Sequence, residues 1–260
     1  MIISKLQGGL GNQIFQWAFG RHLSNLNNIP LYLDSDFYKS DILGVTKRDF
    51  SLNKFPYLNY KLTDVLEKNG KQFLRFFEQP VFEKLEYNIS YNYYLDGYFQ
   101  SEKYFMESSN LIREELKPNN EFLQKINHLL NKKTVSLHIR RTDYLNSNGY
   151  HPVQPIEYYQ KALDIIGNYD NLLVFSDDIN WCKNNLYFDN MIFIDGNDDV
   201  EDLWLMSLCK NNIIANSSFS WWGAWLNNNP DKKVIAPNNW FGSQTNLNTT
   251  GIIPNSWIKI

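Results

Sequence analysis

Residues 134–143 read TVSLHIRRTD. Val135, Leu137 and Ile139 alternate with Ser136, His138 and Arg140, which is the two-residue period of a strand carrying different chemistry on its two faces. The apolar run then stops, so the strand ends in two guanidinium groups and a carboxylate, Arg140, Arg141 and Asp143. Working outward, Pro155–Ile166 has a helical period, Leu172–Phe175 reads as a strand and Ile179–Leu186 as a weaker helix. Met191–Ile194, Asn212–Ala215 and Lys233–Ala236 read as further strands, with helices over Val200–Lys210 and Ser220–Asn228 between them. Strands alternating with helices over short links predict a parallel sheet wound on both faces, with the Lys233–Ala236 strand as its last.

The amino-terminal half begins in the same way. A strand at Ile2–Leu6, a glycine turn, a helix over about 13–25 and a strand at Pro30–Leu33 are followed by Asp36–Asn92, which is aromatic and polar without a sustained period. A strand at Tyr93–Asp96 and a helix over about Ser101–Leu116 come next. Pro118-Asn119-Asn120 and Asn131–Lys133 punctuate the middle of the chain and predict two domains, residues 1–125 and 126–260. The expected class is α/β, two such halves facing a cleft where ligands bind.

Across 260 residues, Lys and Arg number 25 against 28 Asp and Glu, a formal charge of −3 that leaves no broad basic surface for nucleic acid or an anionic membrane. Eight Trp, 16 Tyr and 17 Phe indicate a packed chain, and rings of this kind also suit sugar faces. No apolar run approaches the roughly 18 residues of a membrane span, and the start MIISKLQGGL lacks the pattern of a secretory leader. Cys182 and Cys209 lack metal-ligand spacing and read as buried free thiols, which suits a cytoplasmic protein.

Three stretches carry chemistry. The turn Gln7-Gly8-Gly9-Leu10-Gly11-Asn12 opens a helix, where glycines allow a tight turn and close approach to a ligand. It admits three readings: a dinucleotide site with Asp34 as the ribose acid, although Ile14 stands where the third glycine belongs; a structural turn; or a sugar-nucleotide or acceptor contact through Gly11 and Asn12. At the end of the central strand one arginine can fork onto a phosphate while its neighbour pairs with an acid or the sheet, and the plain alternative is a surface arginine pair beside a core histidine. In Asn216-Ser217-Ser218-Phe219-Ser220, between a strand and a helix, the serines cap the helix or help its N–H groups hold an anion. Trp221 and Trp222 read as packing. Asp34-Ser35-Asp36 and Asp177-Asp178 suit a metal or a strand-end turn equally, and Asp195–Asp199 fails as a calcium loop because Val200 replaces its glycine. Zinc-protease, serine-hydrolase and P-loop motifs are missing from the sequence.

Taken in order, Gly8–Ala18 (GGLGNQIFQWA), Asp96–Phe105 (DGYFQSEKYF), HIRRTD, Phe175–Asp178 (FSDD) and Ala215–Leu226 (ANSSFSWWGAWL) resemble bacterial α-1,2-fucosyltransferases of glycosyltransferase family 11. The resemblance spans about residues 8–226 and implies a GT-B-like pair of Rossmann-type domains with the donor bound by the carboxyl-terminal one. It implies inverting transfer of L-fucose from GDP-β-L-fucose to the 2-hydroxyl of a galactoside, with no cofactor and no required metal. By position, Arg140 meets the pyrophosphate, His138 lies against the nucleoside, Ser217 and Ser218 hold phosphate oxygens, and Asp202 reads guanine. Related enzymes carry a Glu downstream of the arginine motif, whereas residues 144–150 contain no acid, so Asp143 is the nominated base with His151 behind it. The chain is short for two domains, so its acceptor half is expected to be trimmed, with Asp36–Asn92 as the acceptor wall. The acceptor is a lipopolysaccharide repeat, a free oligosaccharide or another galactoside, and a lipid-linked acceptor would bring the enzyme to the cytoplasmic face of the membrane. The competing classes are a non-enzymatic nucleotide- or glycan-binding module and an NAD(P)-dependent oxidoreductase.

Overall fold

The computed structural model describes residues 1–39, 47–63, 71–79, 82–88, 90–130, 133–147 and 149–260. It divides into two compact units: Met1–Lys117 with Thr250–Pro254, and Pro118–Thr249 with Asn255–Ile260. Parts of the irregular Asp36–Asn92 stretch, and the Asn131-Lys132 pair expected as punctuation, lie outside the described residues.

In the first unit, β1 (Ile2–Lys5), β2 (Leu31–Asp34), β3 (Lys61–Leu62), β4 (Phe73–Phe77) and β5 (Asn92–Asp96) form a parallel sheet in the order β3-β2-β1-β5-β4. Helix α1 (Leu10–Asn27) crosses from β1 to β2 and buries Ile14, Phe15, Trp17 and Phe19. It lies so close to the sheet that a Cβ on Gly20 would stand 2.6 Å from the Leu31 side chain. Two expectations change here. The irregular stretch contains β3 and β4; β4 was hidden because FLRFF is an apolar run on an edge strand with no alternation to read. The helix expected over Ser101–Leu116 starts as two short 3₁₀ turns, and only Ser109–Leu116 (α2) is α-helical; Phe99, at φ +53°, turns the chain just before.

The second unit opens with α3 (Asn120–Leu130), where a break was expected. Asn119 is not a linker residue: its side chain accepts a hydrogen bond from the Phe122 N–H (2.8 Å), so the punctuation is a helix cap. The strands are β6 (Thr134–Ile139), β7 (Asn171–Ser176), β8 (Met191–Phe193), β9 (Asn211–Ile213), β10 (Val234–Ala236) and β11 (Ile258–Lys259), so the sheet has a strand beyond the one expected as its last. All pair in parallel in the order β11-β10-β9-β6-β7-β8. The intervening helices are α4 (Thr142–Leu145), α5 (Ile156–Ile166), α6 (Ile179–Asn185), α7 (Asp199–Leu208) and α8 (Ser218–Leu226).

Strand β6 is buried along its whole length. Val135, Leu137 and Ile139 pack with Tyr158, Tyr159, Ala162 and Leu163 of α5. On the opposite face the Ser136 hydroxyl accepts from the Asn212 amide (2.7 Å), so the polar groups of that face are paired inside the fold. Trp221 and Trp222 are fully buried packing residues, and Cys182 and Cys209 are buried free thiols. Chain order runs outward from β6 through β7 to β8, then returns to β6's other side through β9, β10 and β11. Progress along the sheet therefore reverses between β6 and β9, and the carboxyl ends of those two strands flank the position where such sheets bind ligands.

Candidate active site

Parallel register builds the site. His138 pairs with Phe175 and Ile139 with Ser176, so one residue further along, beyond both strand ends, Arg140 meets Asp177. On the other side Leu137 pairs with Ile213, and extending that register brings Asn216 alongside Arg140. The strand ends before the arginines, where the sequence reading placed its end. It stops at Ile139, and Arg141 begins the short helix α4.

Asp177 holds this turn. Its carboxylate accepts from the backbone N–H of Arg141 (2.9 Å) and of Thr142 (3.1 Å) and from the Thr142 hydroxyl, and it lies 3.4 Å from Nε of Arg140. Burial pushes the carboxyl pKa up, but Arg140, the Thr142 hydroxyl and the Arg141 N–H outweigh that and hold it below the ordinary range. Arg140 also pairs with Asp143 at 2.8 Å, sits 5.6 Å from the Tyr144 ring centre, and keeps its side chain 19% exposed. Burial opposes its charge, and Asp143 and Asp177 more than restore it. Arg141 pairs with Asp178 at 3.3 Å and stacks 3.6 Å from the Trp181 ring centre, while Asp178 also caps α6 through the Trp181 N–H. Both arginines therefore bear on acids. Arg140 stands between Asp143 and Asp177, and Arg141 is packed between Asp178 and the Trp181 ring.

His138 is buried at 4% exposure, bonded through Nδ1 to the Ser220 hydroxyl (2.9 Å) with the Phe219 ring 5.6 Å away. Burial, with the Arg140 charge second, pushes its pKa down to about 3, so the ring is neutral at physiological pH. Ser217 occupies the cap position of α8, yet its hydroxyl makes no capping bond; Ser218 is the first helical residue. The capping reading of the serines thus fails at Ser217, and the nine-residue helix α8 starts in the turn that follows β9.

Tyr144 and Gln154 were not among the expected site residues, and Asn216 was named only as the start of the serine stretch, without a role of its own. The Tyr144 hydroxyl donates to the Asn216 carbonyl (2.8 Å), Gln154 donates to the Asn216 side chain (3.1 Å), and Asn216 donates to the Trp240 carbonyl (2.9 Å). These bonds join the turn after β6 to the turn after β9. His151 stacks on Tyr144 at 4.7 Å with its Nδ1 buried and without a hydrogen-bond partner among the described residues, and burial lowers its pKa. The nominated base Asp143 is already engaged by Arg140.

Asp202 stands in the first turn of α7, where the capping is done by others: Asp198 and Glu201 form a reciprocal capping box. Asp202 is left with the Asn197 amide (3.1 Å), and its pKa is pushed up to about 7, by burial first. The acids that might have formed metal pairs have other work. Asp177 and Asp178 hold arginines, the Asp34 carboxylate accepts from the Tyr94 hydroxyl (2.7 Å), and Asp36 pairs with Lys39 (2.8 Å). Asp34 is thus committed within its own sheet, against its reading as a ribose acid.

In the first unit Gly8 adopts φ +81°, and a Cβ there would meet the Asn12 amide at 2.7 Å. The Gly8 carbonyl accepts from Gln13 (3.2 Å) and from the Tyr38 hydroxyl (3.0 Å), and the Asn12 side chain accepts from Gln100 (2.7 Å). Gly11 is buried in the first turn of α1, so the turn is tightly built around Asn12.

A family model described as Glycosyl transferase family 11 matches residues 2–260. The chain belongs to glycosyltransferase family 11, and it is a glycosyltransferase rather than an oxidoreductase or a non-enzymatic binding module. It is 32% identical to the Escherichia coli O-antigen biosynthesis glycosyltransferase WbnK, over 99% of this chain and 99% of that one. It is 34% identical to an Escherichia coli alpha-1,2-colitosyltransferase, over 100% of this chain and 99% of that one. Both alignments run longer than the chain, so the difference in length falls at internal gaps. The crystal structure of fucosyltransferase NodZ from Bradyrhizobium matches with a TM-score of 0.52 at 14% identity, over 85% of this chain and 91% of that one. NodZ alpha-1,6-fucosyltransferase soaked with GDP-fucose matches at 0.50 and 15% identity, over 86% and 91%. At that identity the likeness is one of fold, and the expected α/β class with parallel sheets is the class found.

Because Asp177 titrates lower in the folded chain, the unfolded chain takes up its proton first as pH falls. Its contribution is therefore present above the ordinary carboxylate range, near pH ~4, and disappears below it. Asp177→Asn is expected to cost roughly 2–3 kcal/mol at pH 7, the usual worth of bonds to a charged acceptor. It should also flatten the fall in Tm on acidification below pH ~4. Thermal unfolding across pH checks both; an unchanged acid slope contradicts the account.

Proposed function

We propose that this chain is a galactoside 2-α-L-fucosyltransferase that moves L-fucose from GDP-β-L-fucose to the 2-hydroxyl of a galactoside, with inversion and without a required metal. The observation that carries the reading is Arg140 at the carboxyl end of β6, where the strand order reverses toward β9 and the helix α8 that follows it, whose Ser217 makes no capping bond. Cleaving the sugar–phosphate bond places negative charge on the β-phosphate, and a guanidinium fork with helix N–H groups answers that charge without reorganising. Arg140 meets the pyrophosphate, Ser217 and Ser218 hold its oxygens, the neutral His138 lies against the nucleoside, and Asp202 accepts from guanine. Gly11 and Asn12 contact the donor or the acceptor. The acceptor O2 bonds to C1 of fucose as the C1–phosphate bond breaks, Asp143 takes the hydroxyl proton with His151 behind it, and GDP leaves.

The relative named for a 1,2-transfer supports the linkage, the one named for O-antigen biosynthesis supports a glycan acceptor, and the GDP-fucose-soaked NodZ crystal supports the donor. The same relative favours a second reading in which the sugar moved is colitose. Among the described residues no helix is long and apolar enough to cross a membrane. The reading places the enzyme in the cytoplasm, reaching a lipid-linked acceptor at the membrane face. Incubating the protein with GDP-fucose or GDP-colitose and a galactoside, then locating the new bond by NMR, decides donor and linkage. Fucose transfer to O2 is expected, undiminished by excess EDTA; loss restored by manganese or magnesium overturns metal independence.

Arg140→Lys keeps the charge but not the planar fork, so it is expected to lower kcat severely rather than KM alone. A normal kcat with a raised KM would make Arg140 a uniform binding contact.

With its pKa near 7, Asp202 is only partly ionised in the free chain, and guanine N–H donors favour the carboxylate. GDP affinity is therefore expected to rise with pH through this range. Asp202→Asn should lower affinity about tenfold, or ~1.4 kcal/mol. Whatever pH dependence survives in Asp202→Asn belongs to the phosphate. Calorimetric GDP titration of both proteins between pH 6 and 8 gives the comparison, and equal affinities remove Asp202 as the guanine reader.

A further inference from the structure

At the amino end of β7 and β8, opposite the end that carries Arg140 and Asp177, lies an open groove of about 460 Å³. That is within the ~300–1,000 Å³ usual for small-ligand sites. Gln160 and Asp164 line it from one face of α5, Tyr169 from the turn after α5, and Tyr187, Asp189 and Asn190 from the turn before β8. None of these residues has a part in the reaction described above.

Its chemistry is selective. Two carboxylates with no cation among the lining residues repel a phosphate or another anion, so the groove does not suit a second nucleotide. The acids and amides offer acceptors and donors to hydroxyl groups: the Gln160 amide already donates to Asp164 (3.0 Å). Tyr187 is 86% exposed, while its hydroxyl donates to the Asn184 carbonyl (3.0 Å), which anchors the rim of a ring presented face-out to solvent. A large aromatic left this bare, lining the same groove as carboxylates and amides, matches a ligand with apolar ring faces and many hydroxyls.

The geometry points to a secondary binding site for a neutral oligosaccharide in this groove, stacked on Tyr187 and bonded through Asp164 and Asp189. The six residues of β7 span about 20 Å at ~3.3 Å each, so no monosaccharide reaches both this groove and Arg140. A ligand that touches both is a chain. Resting on the transferase reading, that chain is the acceptor glycan, held remotely while its end reacts; binding in the groove does not itself depend on that reading.

The test uses the full chain, calorimetry and saturation-transfer NMR, with methyl β-galactoside and a neutral galactose-containing hexasaccharide as probes. The hexasaccharide is expected to bind at a site that Tyr187→Ala and Asp189→Asn each weaken at least tenfold, with GDP affinity unchanged. Where transfer occurs, the variants should raise KM for the hexasaccharide about tenfold, leaving kcat and the KM for methyl β-galactoside alone. Hexasaccharide binding that neither variant alters, or no binding, overturns the proposal. Tyr187-dependent binding without transfer to any galactoside supports the groove and overturns the transferase reading instead.

Discussion

One carboxylate organises the reactive end of the second sheet. Asp177 binds the two N–H groups that start α4, the Thr142 hydroxyl and the Arg140 guanidinium together. Without it the chain leaving β6 has no reason to turn where it does, and Arg140, drawn out of solvent, has only Asp143 to balance it. Orphaning a fully buried charge costs about 3–5 kcal/mol, and Arg140, still paired with Asp143 and partly exposed, loses less than that when Asp177 is removed. The same contacts that stabilise the turn therefore fix the Arg140 guanidinium at the carboxyl end of β6.

The acids around this centre divide the labour by environment rather than by residue type. Asp177 and Asp178 hold arginines, and Asp198 and Glu201 close a helix end. Asp202, in the same first turn as that capping box, is shielded from water, and burial first, with the neighbouring acids Asp198, Glu201 and Asp199, holds its proton to about neutral pH. A carboxyl in that condition is a poor structural element but a good acceptor for a ligand that brings its own N–H donors. His138 shows the complementary case, a ring kept neutral by burial beside a permanent cation.

Much of this was legible in the chain. The alternation of strands and helices from Thr134 to Ala236 specified the parallel class, because strands buried on both faces and amphipathic helices leave distinct periods. Strand β4 and helix α3 were not read, for different reasons. FLRFF has no alternation to betray an edge strand, whereas Phe122, Ile126 and Leu130 have helical spacing that the Pro118-Asn119-Asn120 break overshadowed. Asn119 was weighed as a linker residue when its side chain is a cap, a distinction made by one hydrogen bond.

By itself the sequence determined which groups stand at three turns of the chain: two arginines at a strand end, serines at a helix start, and glycines after the first strand, since those follow from residue types in local order. Only the tertiary structure decided which group serves which. Arg140 and Asp177 are 37 positions apart and meet because Ile139 pairs with Ser176, and Tyr144 and Asn216 are 72 apart and meet because Leu137 pairs with Ile213. Strand register is a property of the assembled sheet: every hydrophobic pattern in these strands fits a slip of two residues as well as the native pairing. The choice is made by the packing of both faces at once, which no local stretch of the chain contains.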